Sequence, residues 1–171
     1  MQRFLKLVFL SVLLLGLTAC GFHLRQPQTF SPQLQSVYLN ASTPNDPFTQ
    51  TLMRTLIANN VTVVSDPKQA SATINILNIQ SGSTMMAGGG MNISGAYVAS
   101  LTVNFSVVAH DGTVLIPPRS VQQSQNFMSN ATQVLSGAST VNQLTSQMDQ
   151  SLADQIMNQL AKIPASGGSE S

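Results

Sequence analysis

From Tyr97 to Val107, apolar side chains fall at every second position: Tyr97, Ala99, Leu101, Val103, Phe105 and Val107 alternate with Val98, Ser100, Thr102, Asn104 and Ser106. A period of two held over six apolar positions fits a strand with one face on a core and the other mostly polar. Such a strand needs neighbours. His110-Asp111-Gly112 supplies a hairpin turn directly after it, and Thr113–Ile116 begins the return strand. Pro117 and Pro118 interrupt that strand, which places it at a sheet edge or shifts its register before it resumes over Arg119–Phe127. Upstream, Ala72–Gln80 reads as a further strand, with Ile74 and Ile76 alternating against Thr73 and Asn75. Leu77 breaks that alternation and signals a bulge or two-sided burial. Two short runs, Val37–Leu39 and Val61–Val64, complete a sheet of four or five strands, mostly antiparallel.

Helices supply a second layer. Asp46 is an N-cap, Pro47 takes the first helical position, and Phe48, Leu52 and Leu56 recur four apart with Ile57 beside them. Asn59-Asn60 ends this helix, because Asn tolerates the left-handed C-terminal conformation. A longer helix from Val141 to Ile163 carries one apolar stripe: Leu144, Met148, Leu152, Ile156, Leu160 and Ile163. Ser129 or Asn130 caps a shorter helical piece before it, with Gly137 a point of bending. The expected architecture is α+β: a two-layer sandwich of two main helices on the sheet. Between Ser81 and Asn92 lie Gly88-Gly89-Gly90, flanked by Met85, Met86 and Met91. This stretch lacks the Lys-Ser/Thr ending of a phosphate-binding loop. It reads as a mobile hairpin connection whose methionines offer an adaptable apolar contact to lipid or a partner.

The N-terminus has a different character. Arg3 and Lys6 precede a leucine-rich run from Leu5 to Leu17, the length of a secretory h-region and short of the about 20 residues of a spanning helix. Leu17-Thr18-Ala19-Cys20 follows and contains the single cysteine of the chain, which has no partner for an internal disulfide. This is the pattern of a bacterial lipobox: cleavage between Ala19 and Cys20, with fatty acyl groups such as palmitate on the new N-terminus. Several acyl chains, at about 0.8 kcal/mol per buried methylene, anchor a protein lastingly where one is marginal. The expected organisation is a signal peptide over 1–19, a lipid-anchored segment over 20–36, a single α+β domain over 37–163, and a disordered tail over 164–171.

Charge is scarce: 8% of residues are Asp, Glu, Lys or Arg, against about 25% in ordinary domains. Removing residues 1–19 leaves five basic and six acidic side chains, a net charge near −1, which does not suit nucleic-acid binding. Solubility rests on Ser, Thr, Asn and Gln, whose burial costs far less than that of ions. A body of this kind fits inside another protein without stranding charges. Catalytic constellations are sparse. His23 and His110 are the only histidines, without zinc-ligand spacing, and Asp46, Asp66 and Asp111 stand where caps and turns need them. Asp149 and Asp154 are placed on the polar side of the final helix. Neither an enzyme nor a non-covalent cofactor is expected. Arg119, beside the double proline, is the one cation placed to meet a phosphate or carboxylate bidentately.

Cys20-Gly21-Phe22-His23-Leu24-Arg25 resembles the mature start of the LPS-assembly lipoprotein LptE family, whose hallmark is a Cys-Gly-aromatic-His-Leu-Arg opening. The Pro44-Asn45-Asp46-Pro47 helix start, the Val61–Val64 strand, Leu101-Thr102-Val103-Asn104 within the longest strand, and the final helix follow the family's order. The resemblance implies two helices on a four-stranded sheet. It implies a lipoprotein at the periplasmic face of the outer membrane that plugs the LptD β-barrel one to one and helps it assemble. The pair delivers lipopolysaccharide to the outer leaflet. Family contacts to lipopolysaccharide use basic side chains at one end of the sheet, and Arg119 is the residue that carries over as a candidate contact. The other expectations are a direct lipopolysaccharide-binding carrier, or an accessory lipoprotein of another envelope transport complex.

Overall fold

The computed structural model describes residues 30–88, 94–130 and 134–164. In chain order the elements are β1 (Ser36–Ala41), α1 (Pro47–Ala58), β2 (Thr62–Val64), β3 (Ala72–Gly88), β4 (Ser94–Ala109), β5 (Val114–Asn130) and α2 (Val134–Leu160). They form one five-stranded sheet in the order β2-β1-β3-β4-β5, with the helices packed against it. The two-layer α+β expectation holds, on a mixed sheet. β1 runs parallel to β2, with α1 as the crossover between them, and parallel to β3 on its other side. The long β3–β4 and β4–β5 ladders are antiparallel.

Local chemistry sets the joints. The Asp46 carboxylate accepts the Phe48 N–H at 2.9 Å, Pro47 occupies the first turn, and Asn60 takes φ 63° where α1 ends. In the β4–β5 turn Gly112 has φ 88° and Asp111 accepts the Thr113 N–H at 2.9 Å. β5 is an edge strand, and its register on β4 shifts between the Phe105–Arg119 and Val107–Ile116 pairs, where Pro117 and Pro118 stand.

Two boundaries differ from the sequence reading. The Ser81–Asn92 connection is strand as far as Gly88, since Ser81–Gly88 pairs in order with Leu101–Gly95. Backbone pairing to β4, itself held by β5, imposes extended structure on a Ser/Gly/Thr run that has no apolar alternation of its own. Leu77 falls at a bulge and is 51% exposed, so the bulge reading applies. The last helix is continuous from Val134 through Gly137 and starts ahead of Val141. It closes through a tightened turn in which Lys162 and Ile163 donate to Gln159 and Leu160 carbonyls.

The core lies between the layers. Ile74, Ile76, Leu101, Val103, Phe105 and Val107 from the sheet meet Phe48, Leu52 and Leu56 of α1 and Met148, Leu152, Ile156 and Leu160 of α2. β3, at 17 residues, is about 55 Å long at 3.3 Å per residue. β1 covers its flank only as far as Ile76, so the sheet beyond narrows to a three-stranded ribbon.

Candidate functional site

Where the sequence places function, the structure offers two ends of different chemistry. The broad end gathers charge. Arg119 is exposed, and its Nη1 donates to Gln159 Oε1 at 3.0 Å. Register turns it to the helix side, opposite Phe105, and it lines an open groove of about 430 Å³ with Ile116, Lys162 and Pro164. That Lys162 shares this groove was not legible in the sequence, because β5 and the end of α2 come together only in the fold. The Ser31 hydroxyl donates to the Pro164 carbonyl at 3.4 Å, so the chain enters the domain beside this groove. Ala19, Cys20 and the motif residues Gly21, Phe22, His23, Leu24 and Arg25 lie outside the described residues.

Catalytic geometry does not assemble at His110-Asp111. Both side chains are exposed in the hairpin turn, and the Thr113 amide holds the Asp111 carboxyl below its usual range. Among the described residues, no group of three or more His, Cys, Asp or Glu side chains comes together to hold a metal. None of their helices is long and apolar enough to cross a membrane.

Asp149 corrects the sequence reading. It is 4% exposed, not on the polar side of α2, and stands among Met148, Leu152 and Ala153 on the buried side. Burial first, and the Asp46 carboxylate second, push it up from 3.8 to about 6. The folded state therefore holds this proton more tightly than the unfolded chain does. The stabilising effect is complete below about pH 4 and is lost as pH rises through 6. Asp149→Asn keeps the shape without the charge. It is expected to raise stability by about 1–3 kcal/mol at pH 7.5 and by little at pH 4. Urea unfolding at both pH values checks this, and an equal gain at both would remove the carboxylate from the account.

The narrow end is free of ions. No Asp, Glu, Lys, Arg or His occurs in residues 69–109 or 120–148. Those spans contain β3 from Ala72 to Gly88, β4, the ribbon part of β5 and the first half of α2. The sheet face turned away from the helices carries Asn78, Gln80 and Thr84 of β3, Ser100, Thr102 and Asn104 of β4, and Ser120, Gln122 and Asn126 of β5. On the helix side, Ser81, Ser83, Ala99, Leu101, Phe127, Leu144 and Met148 line a partly open groove of about 260 Å³. Ions left unpaired in an enclosed site cost several kcal/mol each. Amides and hydroxyls can be paired there at far lower cost.

This fold and these surfaces define a two-layer α+β domain with a charged end and an ion-free end. Its fold is shared with lipoproteins of known structure. It superposes on lipoprotein B from Nitrosomonas europaea with a TM-score of 0.67 at 18% identity, over 82% of this chain and 90% of that one. For a minor lipoprotein from Acinetobacter baumannii the TM-score is 0.63 at 19% identity, over 79% and 98%. At the sequence level, the LPS-assembly lipoprotein LptE of Yersinia enterocolitica is 26% identical over 172 residues, covering 96% of this chain and 79% of the relative. The model of the LptE family, lipopolysaccharide-assembly, matches residues 34–160. The chain belongs to that family, which is a family of assembly lipoproteins and not a known enzyme family.

Proposed function

We propose that this protein is a lipid-anchored plug and assembly factor for the LptD β-barrel. Acyl chains on Cys20 hold it at the periplasmic face of the outer membrane, and the pair delivers lipopolysaccharide to the outer leaflet. The observation that carries this reading is the ion-free narrow end. A three-stranded ribbon without ions, whose face away from the helices carries Ser, Thr, Asn and Gln, is suited to the lumen of a barrel, which is polar and walled by backbone-satisfied strands. The charged end, beside which the chain enters, is left for the membrane side. Membership of a lipopolysaccharide-assembly family supports the pathway, and the lipobox supports the anchor.

Photo-crosslinking amino acids at Gln80, Thr102 and Gln122 test it in living cells. The expected product is a covalent adduct with one large β-barrel protein at all three positions, and none from Lys68 at the charged end. Equal adducts from both ends, or no barrel adduct, would overturn the plug. Arg119 and Lys162 sharing one groove favour a second reading, direct contact with lipopolysaccharide phosphates. Adducts to lipopolysaccharide from Leu115 or Gln159, with no barrel adduct anywhere, would put that carrier reading first.

A further inference from the structure

Beyond Ile76 the flank of β3 pairs with no strand among the described residues. From Leu77 to Met86 this edge displays a row of backbone donors and acceptors. Proteins blunt such edges with lysine, proline, inward charge or bulges. Leu77-Asn78-Ile79-Gln80-Ser81-Gly82-Ser83-Thr84-Met85-Met86 contains no lysine, proline or charge, and its bulges stand only at its two ends. β2, at the sheet's outer edge on the same side, is only three residues long, and β5 at the opposite edge carries Pro117 and Pro118. Two bulges, after Ile76 and after Met85, bracket Asn78–Met85, which is paired to β4 in unbroken register and so forms a regular template.

Gly82 adds a second observation. It has no positive φ, and a Cβ built on it meets nothing within 4 Å. Neither backbone conformation nor internal packing accounts for a residue that weakens a strand interior by roughly 0.5–1 kcal/mol. Close approach by another backbone is one of the reasons a strand interior keeps a glycine. The third observation is the groove on the helix side of the same stretch. Ser81, Gly82 and Ser83 form its rim, and Leu101, Phe127, Leu144 and Met148 line it. A strand added to β3 directs alternate side chains to this side of the sheet. Exposed Met85 and Met86, 49% and 70% accessible, stand at the end of the same run.

We infer that the β3 edge from Leu77 to Met86 takes up an extended segment of the partner chain as an additional strand. This rests on the barrel-plug reading. Main-chain hydrogen bonds to β3 supply the attachment, and an apolar side chain of the added segment enters the groove under α2 to set the register. The segment is uncharged where it pairs, because no charged side chain on this edge or in this groove could partner an ion.

The test uses the full-length lipoprotein, affinity-captured with its barrel from detergent-solubilised outer membranes. Neighbouring amides in a strand point to opposite flanks, so of Ser81→Pro and Gly82→Pro one cuts a bond to β4 and the other blocks the free edge. The variant whose thermal melt matches the unaltered protein is expected to capture at least tenfold less barrel. Capture at the unaltered level by that variant overturns the inference while leaving the plug reading intact. Hydrogen exchange on the unaltered protein stands independently of any variant. Amides in Leu77–Met86 are expected to gain protection when the barrel is bound. Protection already complete in the free protein, which would mean that its own N-terminal segment covers the edge, overturns the inference, as does no gain in the complex. If the unaltered protein captures no barrel, both readings fall.

Discussion

Phe105→Ala is expected to destabilise the domain by about 3–5 kcal/mol and to lower its melting temperature by roughly 10–15 °C. Phe105 is fully buried and is among the largest side chains enclosed in the core. It projects from β4, the strand with a full-length antiparallel neighbour on each side, toward the helix layer. Truncation removes the transfer free energy of the ring and leaves a cavity that the β3 and β5 ladders keep from collapsing. A total stability of about 5–15 kcal/mol leaves little margin against such a loss. Thr102→Ala, three residues earlier on the opposite face, is expected to cost under 1 kcal/mol. Urea titration of the two variants separates them. A loss below 1 kcal/mol for Phe105→Ala would mean that the layers are not held together through β4.

That contrast marks what the sequence made legible. The alternation from Tyr97 to Val107 predicts β4 with its buried face, and the structure buries Leu101, Val103, Phe105 and Val107. The stripe from Met148 to Ile163 is buried as its spacing requires, with Leu144 half-buried at the groove. Both signals are readable because one periodic face must leave water. The far part of β3 carries no such signal. Ser81-Gly82-Ser83-Thr84 is extended because β4 pairs with it, and pairing is a long-range property that a local pattern does not encode. Asp149 escaped for a related reason: α1 covers a turn of α2 that composition alone marks as polar. At the candidate site, Arg119 was legible as a lone cation after two prolines. Its neighbour Lys162 and its hydrogen bond to Gln159 depend on β5 lying against α2. The scarcity of charge was visible as composition, whereas its segregation to one end becomes visible only once β3, β4, β5 and α2 are laid side by side.

Cys20→Ala is expected to abolish stable membrane retention while leaving the melt of the domain unchanged. Its consequences divide cleanly because Cys20 lies ten positions before Phe30, the first core-packed residue among the described ones. The chain has no second cysteine, so the substitution removes no disulfide and exposes no orphan thiol elsewhere. What it does remove is every acyl group attached at that position. A single fatty chain gives an association constant of only about 10⁴ M⁻¹, whereas two or three chains give an anchor that does not exchange on the time scale of growth. Without them, on the proposed plug reading, a barrel interface alone would have to keep the protein at the membrane, and the encounter would be bimolecular rather than confined to a surface. Two readouts check this. Metabolic labelling with radioactive palmitate should mark the unaltered protein and not the variant. Fractionation after a high-salt wash should leave the unaltered protein with the membranes and release the variant or trap it as precursor. Label retained in Cys20→Ala would show that the acyl groups sit elsewhere. An unlabelled variant that still pellets with membranes after the wash would show that protein contacts, rather than lipid, hold this molecule in place.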